Sequence, residues 1–163
     1  MAKTGYINGS DLLLYIQTGG TSENPTMKAV GHCTSHTTTY SSETKDRAVK
    51  PAASAAMTAG LWKGKSVTGL SVSVSAEGLR FYDEAECGYA DVLAAWKEGK
   101  SIYIKGCERN ENGNDAQNVP SFYLSGLFVI SSLEESAPAQ DDATYSIQLE
   151  NDGEVTLAPA LLT

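Results

Sequence analysis

Ala143-Thr144-Tyr145-Ser146-Ile147-Gln148-Leu149 is the stretch that decides the fold. In an extended chain successive side chains point to opposite faces. Ala143, Tyr145, Ile147 and Leu149 therefore line one face, and Thr144, Ser146 and Gln148 the other, which is the pattern of a strand with one side buried. Asn151-Asp152-Gly153 follows, a tight-turn signal because glycine takes positive φ at little cost. Glu154 to Ala158 is expected to return as the partner strand, closing a C-terminal hairpin over about 143–158.

The same period recurs upstream. In Ser66 to Ala76, Leu70, Val72, Val74 and Ala76 are in phase while Val67 is not, and Gly69 between them points to a β-bulge. Ser101 to Cys107 sets Ile102 and Ile104 against Tyr103 and Lys105. Ser121 to Leu133 is apolar on both faces across Leu127 to Ile130, which predicts cover on both sides. Leu12 to Gln17 and Lys28 to Tyr40 complete the strand candidates. From Thr34 to Ser42 almost every residue carries a hydroxyl, so neither face offers a core. Its β-branched threonines still favour extension, and such a strand suits an edge or a surface completed by another subunit.

One segment, about 89–98, has helical period. Tyr89, Val92, Leu93 and Trp96 form a single stripe, Asp91 lies near its start, and Lys97 and Gly99 mark its end. Residues 41–62 fit neither period and hold Pro51 and a run of small residues, so they are expected to form a long loop. Asn110 to Pro120 forms a second, polar loop. The 163 residues suit one domain, 1–163.

Composition narrows the function. A hydrophobic fraction of 41% and a charged fraction of 20% belong to a folded chain. The net charge of −8 argues against sequence-specific nucleic-acid binding and against anionic lipid, because phosphate contacts need lysine and arginine. Met1 to Asp11 does not read as an export signal, and the apolar run Leu12 to Ile16 is too short for a membrane span, so use in a cytoplasm is expected. Cys33, Cys87 and Cys107 are few, odd in number and widely spaced, which predicts reduced thiols.

No catalytic or cofactor constellation emerges. His32 and His36 would stand about 13 Å apart on a strand at ~3.3 Å per residue, too far to share an ion. Ser42-Glu43-Thr44-Lys45 matches S-x-x-K but lacks the companion elements. Asn110-x-Asn112-Gly113-Asn114 departs from a calcium loop in its glycine and its missing distal Glu. No enzyme, metal or cofactor is expected.

The order of the blocks resembles the major tail tube proteins of long-tailed phages, the family typified by lactococcal siphophage major tail proteins. The likeness is carried by the strand Asp11 to Gln17 and by the hydroxyl-rich block Ala29 to Asp46, which ends in Thr44-Lys45-Asp46. It continues through Leu61 to Leu79, through Gly88 to Gly106, and through the final block Gly126 to Gly153 with its Asp142-Ala143-Thr144-Tyr145-Ser146 strand. The resemblance implies a mainly β fold, a β-sandwich or partial barrel with one flanking α-helix and a long loop. Copies would assemble into hexameric rings whose strands form a barrel, stacked into a conduit for DNA.

On that reading the chain serves in the virion tail, assembled in the host cytoplasm. Its partners are copies of itself with tape-measure, tail terminator and distal tail proteins. Thr38, Tyr40, Thr44, Lys45, Asp46, Pro51 and Trp62 become candidate contacts between subunits and rings. Glu134, Glu135, Asp141 and Asp142 become candidates for an acidic lumen that repels DNA. The inner tube of a contractile tail or a type VI-like system shares this architecture. A β-sandwich carbohydrate-binding module, with exposed aromatics, is the alternative from another class.

Overall fold

Alternating apolar side chains can be buried only if their strands lie side by side on one core. The computed structural model describes residues 5–48, 50, 52–57, 63–82, 85–109 and 122–157. Eight strands and one helix follow in chain order: β1 (Leu12–Gly20), β2 (Pro25–Ala29), β3 (Cys33–Arg47), β4 (Gly64–Leu79), α1 (Tyr89–Glu98), β5 (Ile102–Glu108), β6 (Phe122–Ser136), β7 (Thr144–Asn151) and β8 (Thr156–Leu157). The strands form one antiparallel sheet in the order β2-β1-β5-β6-β7-β4-β3, with β8 also paired to β6.

That sheet cannot be flat. β2 and β3 occupy its opposite edges, yet β2 ends at Ala29 and β3 begins at Cys33. Four residues reach at most ~14 Å at ~3.6 Å each. Six strand spacings of ~4.8 Å would hold the edges of a flat sheet about 29 Å apart. The sheet therefore curls into a partial barrel whose edges approach at Val30-Gly31-His32.

Hydrogen bonds stitch this crossing on several sides. The Val30 amide donates to the Leu14 carbonyl at 2.8 Å, Gly31 to Cys87 at 3.0 Å, and Leu79 to His32 at 3.1 Å. The buried Tyr145 hydroxyl donates to the Gly31 carbonyl at 3.1 Å. A Cβ on Gly31 would lie 2.4 Å from the Phe81 ring, so only glycine fits there. His32 takes a left-handed φ of 48° and sets its ring 4.5 Å from Phe81.

Leu14, Ile16, Val74, Ile104, Leu124, Phe128, Tyr145, Ile147 and Leu149 meet in a single core. The helix α1 seals it through Val92. Gly88 precedes the helix, its amide donating to Asp91 Oδ2 at 3.2 Å, and Gly99 ends it in the left-handed conformation at φ 64°. The stripe expected to face inward is only partly buried. Val92 is enclosed, whereas Leu93 and Trp96 remain 40% and 52% exposed.

Several expectations need correction. The segment Lys28 to Tyr40 is two strands, broken at the crossing. Residues 41–47, expected as loop, continue β3, paired from Ser41↔Ser71 to Arg47↔Gly64. A backbone ladder needs no apolar face, so hydrophobic period could not reveal it. The bulge expected between Val67 and Leu70 is present, at Thr68, between Glu43↔Gly69 and Thr44↔Val67. Across Leu127 to Ile130, Phe128 is buried while Leu127, Val129 and Ile130 are partly buried, so the cover is deepest on the Phe128 side.

The C-terminal hairpin is replaced by a different pairing. β7 runs along β6 from Ser136 to Phe128, and β8 continues in the same direction against Ser125 and Leu124. Asn151 to Gly153 makes a bulge: the Asp152 amide donates to the Leu127 carbonyl at 2.8 Å and the Asn151 side-chain amide to the Gly153 carbonyl at 2.8 Å. The chain kinks there without reversing. Asn110 to Pro120 and Ala158 lie outside the described residues.

The core and the crossing should separate on mutation. Ile147→Ala leaves a cavity at a fully buried site and is expected to lower stability by roughly 2–5 kcal/mol. Tyr145→Phe removes one buried hydrogen bond and is expected to lower it by about 1 kcal/mol. Urea unfolding of the monomer followed by circular dichroism measures both.

Candidate functional site

Residues directly opposite one another in an antiparallel pair point to the same side of the sheet, so register assigns every side chain a face. Val72, Val74 and Ala76 of β4 face the core, as do Leu149 and Ile147 of β7. The other face carries the rows Ser73↔Glu150, Ser75↔Gln148 and Glu77↔Ser146. β3 extends it with Ser35, Thr37, Thr39, Ser41 and Glu43, and β6 with Ser132, Glu134 and Ser136. Four strands thus build one polar panel, largely exposed, of hydroxyls with Glu43, Glu77, Glu134 and Glu150. No lysine or arginine interrupts these rows, and beyond Glu43 the same face of β3 continues into Lys45 and Arg47.

An open groove at one end of the panel, about 620 Å³, is lined by Thr34, Glu77, Glu134, Glu135, Ser136 and Tyr145 among others. It lacks the apolar walls that bury a small molecule.

The panel ends in two unpaired edges. Among the described residues β3 pairs only with β4, which leaves fifteen residues of strand edge open. On β6, β5 covers Phe122 to Phe128, so residues 129–136 have no strand on that side among the described residues. Edges this long and this free of proline are templates for another strand.

The sequence-predicted residues divide. Thr38, Tyr40, Thr44 and Asp46 lie on the core-side face of β3, opposite Val74, Val72, Val67 and Lys65, and Lys45 lies on the panel side. Asp46 pairs with Lys65 at 3.4 Å. Pro51 and Trp62 fall outside the described residues. Of the four acids, only Glu134 stands on the panel. Glu135 is turned to the other face opposite Tyr145 and is ion-paired with Arg80. Asp141 and Asp142 sit in the exposed connection between β6 and β7. Glu43, Glu77 and Glu150 escaped sequence reasoning, because each is an ordinary polar position until register aligns it with the others.

The remaining chemistry-bearing side chains are scattered. Ser42 and Lys45 of the S-x-x-K match point to opposite faces of β3. His36 is half-buried on the core side of its strand, and burial lowers its pKa. Burial likewise pushes the Cys107 thiol up to about 11 and the Cys87 thiol up to about 12, a second contribution at Cys87 coming from the Asp91 carboxylate.

These raised values give a signed prediction. Unfolded thiols ionise near ~8.5, before the folded ones do. The unfolded state therefore binds fewer protons in this range, and stability is expected to fall as pH rises above about 9, with Cys87 and Cys107 each contributing up to ~1.4 kcal/mol per pH unit. Urea midpoints between pH 8 and 11 measure this. At neutral pH both thiols are expected to resist maleimide until urea is added.

Comparison with known proteins fits this geometry. A family model described as phage tail tube protein matches residues 6–157. The fold is similar to the tail of an empty GTA particle solved with C6 symmetry, with a TM-score of 0.69 and 15% identity, covering 94% of this chain and 99% of that one. It is similar to the SPP1 tail tube at a TM-score of 0.62 and 16% identity, covering 91% and 77%. It also matches a sheath-tube complex of an extracellular contractile injection system at a TM-score of 0.55 and 14% identity, covering 94% and 93%. No curated protein sequence matches the chain.

Proposed function

Because the chain belongs to the phage tail tube protein family, a structural family and not an enzyme one, we propose that it works as one segment of a ring wall, with the polar panel turned to the bore. The observation that carries this reading is the pair of open edges on the panel. Direction alternates from β6 through β7 and β4 to β3, so a β3 edge laid on residues 129–136 of the next copy continues the antiparallel order. Such a head-to-tail contact closes into a ring when its rotation closes.

Six copies, as in the C6 symmetry of the similar GTA tail, would contribute four strands each. At ~4.8 Å per strand the backbone circle is about 37 Å across before tilt widens it, which leaves room for a duplex after side chains. The bore would then be lined by hydroxyls and by Glu43, Glu77, Glu134 and Glu150. Like charge keeps phosphate from adhering to such a wall. Glu135, Asp141 and Asp142 take a place at its rim.

The rings would stack into a tube in the virion tail. The segment joining β3 to β4 belongs to this reading as the contact between rings, and terminator, tape-measure and distal tail proteins as partners at the ends. Negative-stain microscopy of concentrated protein is expected to show rings or hollow tubes. Deleting Ala52 to Gly60 is expected to leave the monomer folded and to remove long tubes. A deletion variant that still forms long tubes overturns the inter-ring role.

The lumen assignment is tested with DNA. Tubes of the triple variant E77K/E134K/E150K are expected to retain short duplexes on pelleting at low salt, whereas tubes of the unaltered protein release them. Equal release by both would remove these residues from the bore.

A further inference from the structure

The bulge at Thr68 has a consequence for the far end of the β3–β4 hairpin. It brings Val67 into phase with Leu70, Val72, Val74 and Ala76, because Thr44, the partner of Val67, lies on the same face of β3 as Tyr40 and Ser42. The face that is core at Val74 and Ala76 (1% exposed each) therefore runs on into solvent. Val72 is 9% exposed, Leu70 78% and Val67 60%, with Tyr40 beside Val72 at 55%. Over the body α1 and the facing strands cover this side of the sheet; over the hairpin nothing described does.

A second unpartnered apolar feature lies on α1. Leu93 and Trp96 are neighbours at i and i+3 and both are exposed. The helix packs on β6 from the core side, through Val92. Its C-terminal end leads through Gly99 and Ser101 into Ile102, which pairs with Phe128. Phe128 is where the open edge of β6 begins. A β3–β4 hairpin arriving at that edge from another copy would bring Tyr40, Leu70 and Val67 to the same side of the wall as this helix.

Charge favours a second copy as the occupant. Residues 43–65 hold five of the chain's twelve basic residues (Lys45, Arg47, Lys50, Lys63, Lys65) against Glu43 and Asp46, a net +3. The rest of the chain carries −11 of the total −8. A basic arm on an acidic body is complementary to another copy of itself, and it is steered to that body at low salt.

We propose that the apolar strip Tyr40–Leu70–Val67 docks on Leu93 and Trp96 of the adjacent copy, bracing each strand junction of the ring from its outer side. This rests on the ring reading above and adds a contact that edge pairing alone does not require. Both partners are exposed in the monomer, so substitutions there leave the core intact.

The test is intermolecular crosslinking in the double variant L70C/W96C, with V67C/L93C as a second pair, oxidised at assembly concentration and run on denaturing non-reducing gels. A ladder of covalent multiples is expected from either double variant, and at most dimers from each single variant. Rings seen by microscopy with no ladder from either pair overturn the docking and leave the ring reading intact. A folded double variant that gives neither rings nor ladder, beside unaltered protein that forms rings, upholds a role for these side chains in assembly. Absence of rings from unaltered protein and variants alike, together with absence of any ladder, overturns both readings.

Discussion

The short reach of Val30-Gly31-His32 governs the rest of the molecule. Only a curled sheet lets β2 and β3 sit at opposite edges with three residues between Ala29 and Cys33. Curling gives the antiparallel sheet a concave side on which residues from β1 and β4, far apart in strand order, share one core with Tyr145 and Phe128. The crossing is correspondingly well bonded: it is held by Leu14, Cys87, Leu79 and the Tyr145 hydroxyl, and it uses Gly31 where a larger residue would strike Phe81. Its stitching also commits the first residues of β3 to the sheet edge, so among the described residues the long strand beyond them has β4 on one side and no strand on the other.

From that placement the division of labour between faces follows. Period-2 geometry puts the apolar side chains of β4 and β7, Leu79 at the end of β4 excepted, on the concave side, and the residues between them form a second, continuous surface. Because those residues are mostly serine, threonine, glutamine and glutamate, the surface is wet and largely anionic, with Lys45 and Arg47 at its far end and an open polar groove in place of an apolar pocket. A surface of this kind is suited to being slid along. Its edges are another matter: β3 and the outer half of β6 expose backbone groups that water solvates in a single copy and that a further strand can pair. A polar face and open edges suit a self-assembling wall, and the chain belongs to the tail tube family.

Much of this was legible in the residues. Tyr145, Ile147 and Leu149 announced β7 by alternation alone, and Gly69 with the dephased Val67 announced a bulge one residue from where it lies. The helix was readable from Asp91, Val92 and Gly99, each acting within one or two turns. The hydroxyl-rich strand was placed at an edge because it has no face to bury, and it lies at one. The failures share a cause. Residues 41–47 continue a strand through backbone pairing that leaves no mark in hydrophobic period. Asn151-Asp152-Gly153 offers the same conformational freedom to a turn and to a bulge. The choice was made by β6, whose Leu127 carbonyl takes the Asp152 amide and whose Leu124 and Ser125 then receive β8.

The sequence by itself determined the local state of the chain, its composition class and, through the order of its blocks, its family. Each of these depends on neighbours within a few residues or on a pattern along the chain. Only the tertiary structure decided which residues share a surface. Glu43, Glu77, Glu134 and Glu150 are separated by up to about a hundred residues, and nothing local distinguishes them from Asp141 or Glu135. Register does: a slip of one residue in any strand would have turned its glutamate to the core, and the burial of Val74, Ala76, Ile147 and Leu149 fixes that register against such a slip.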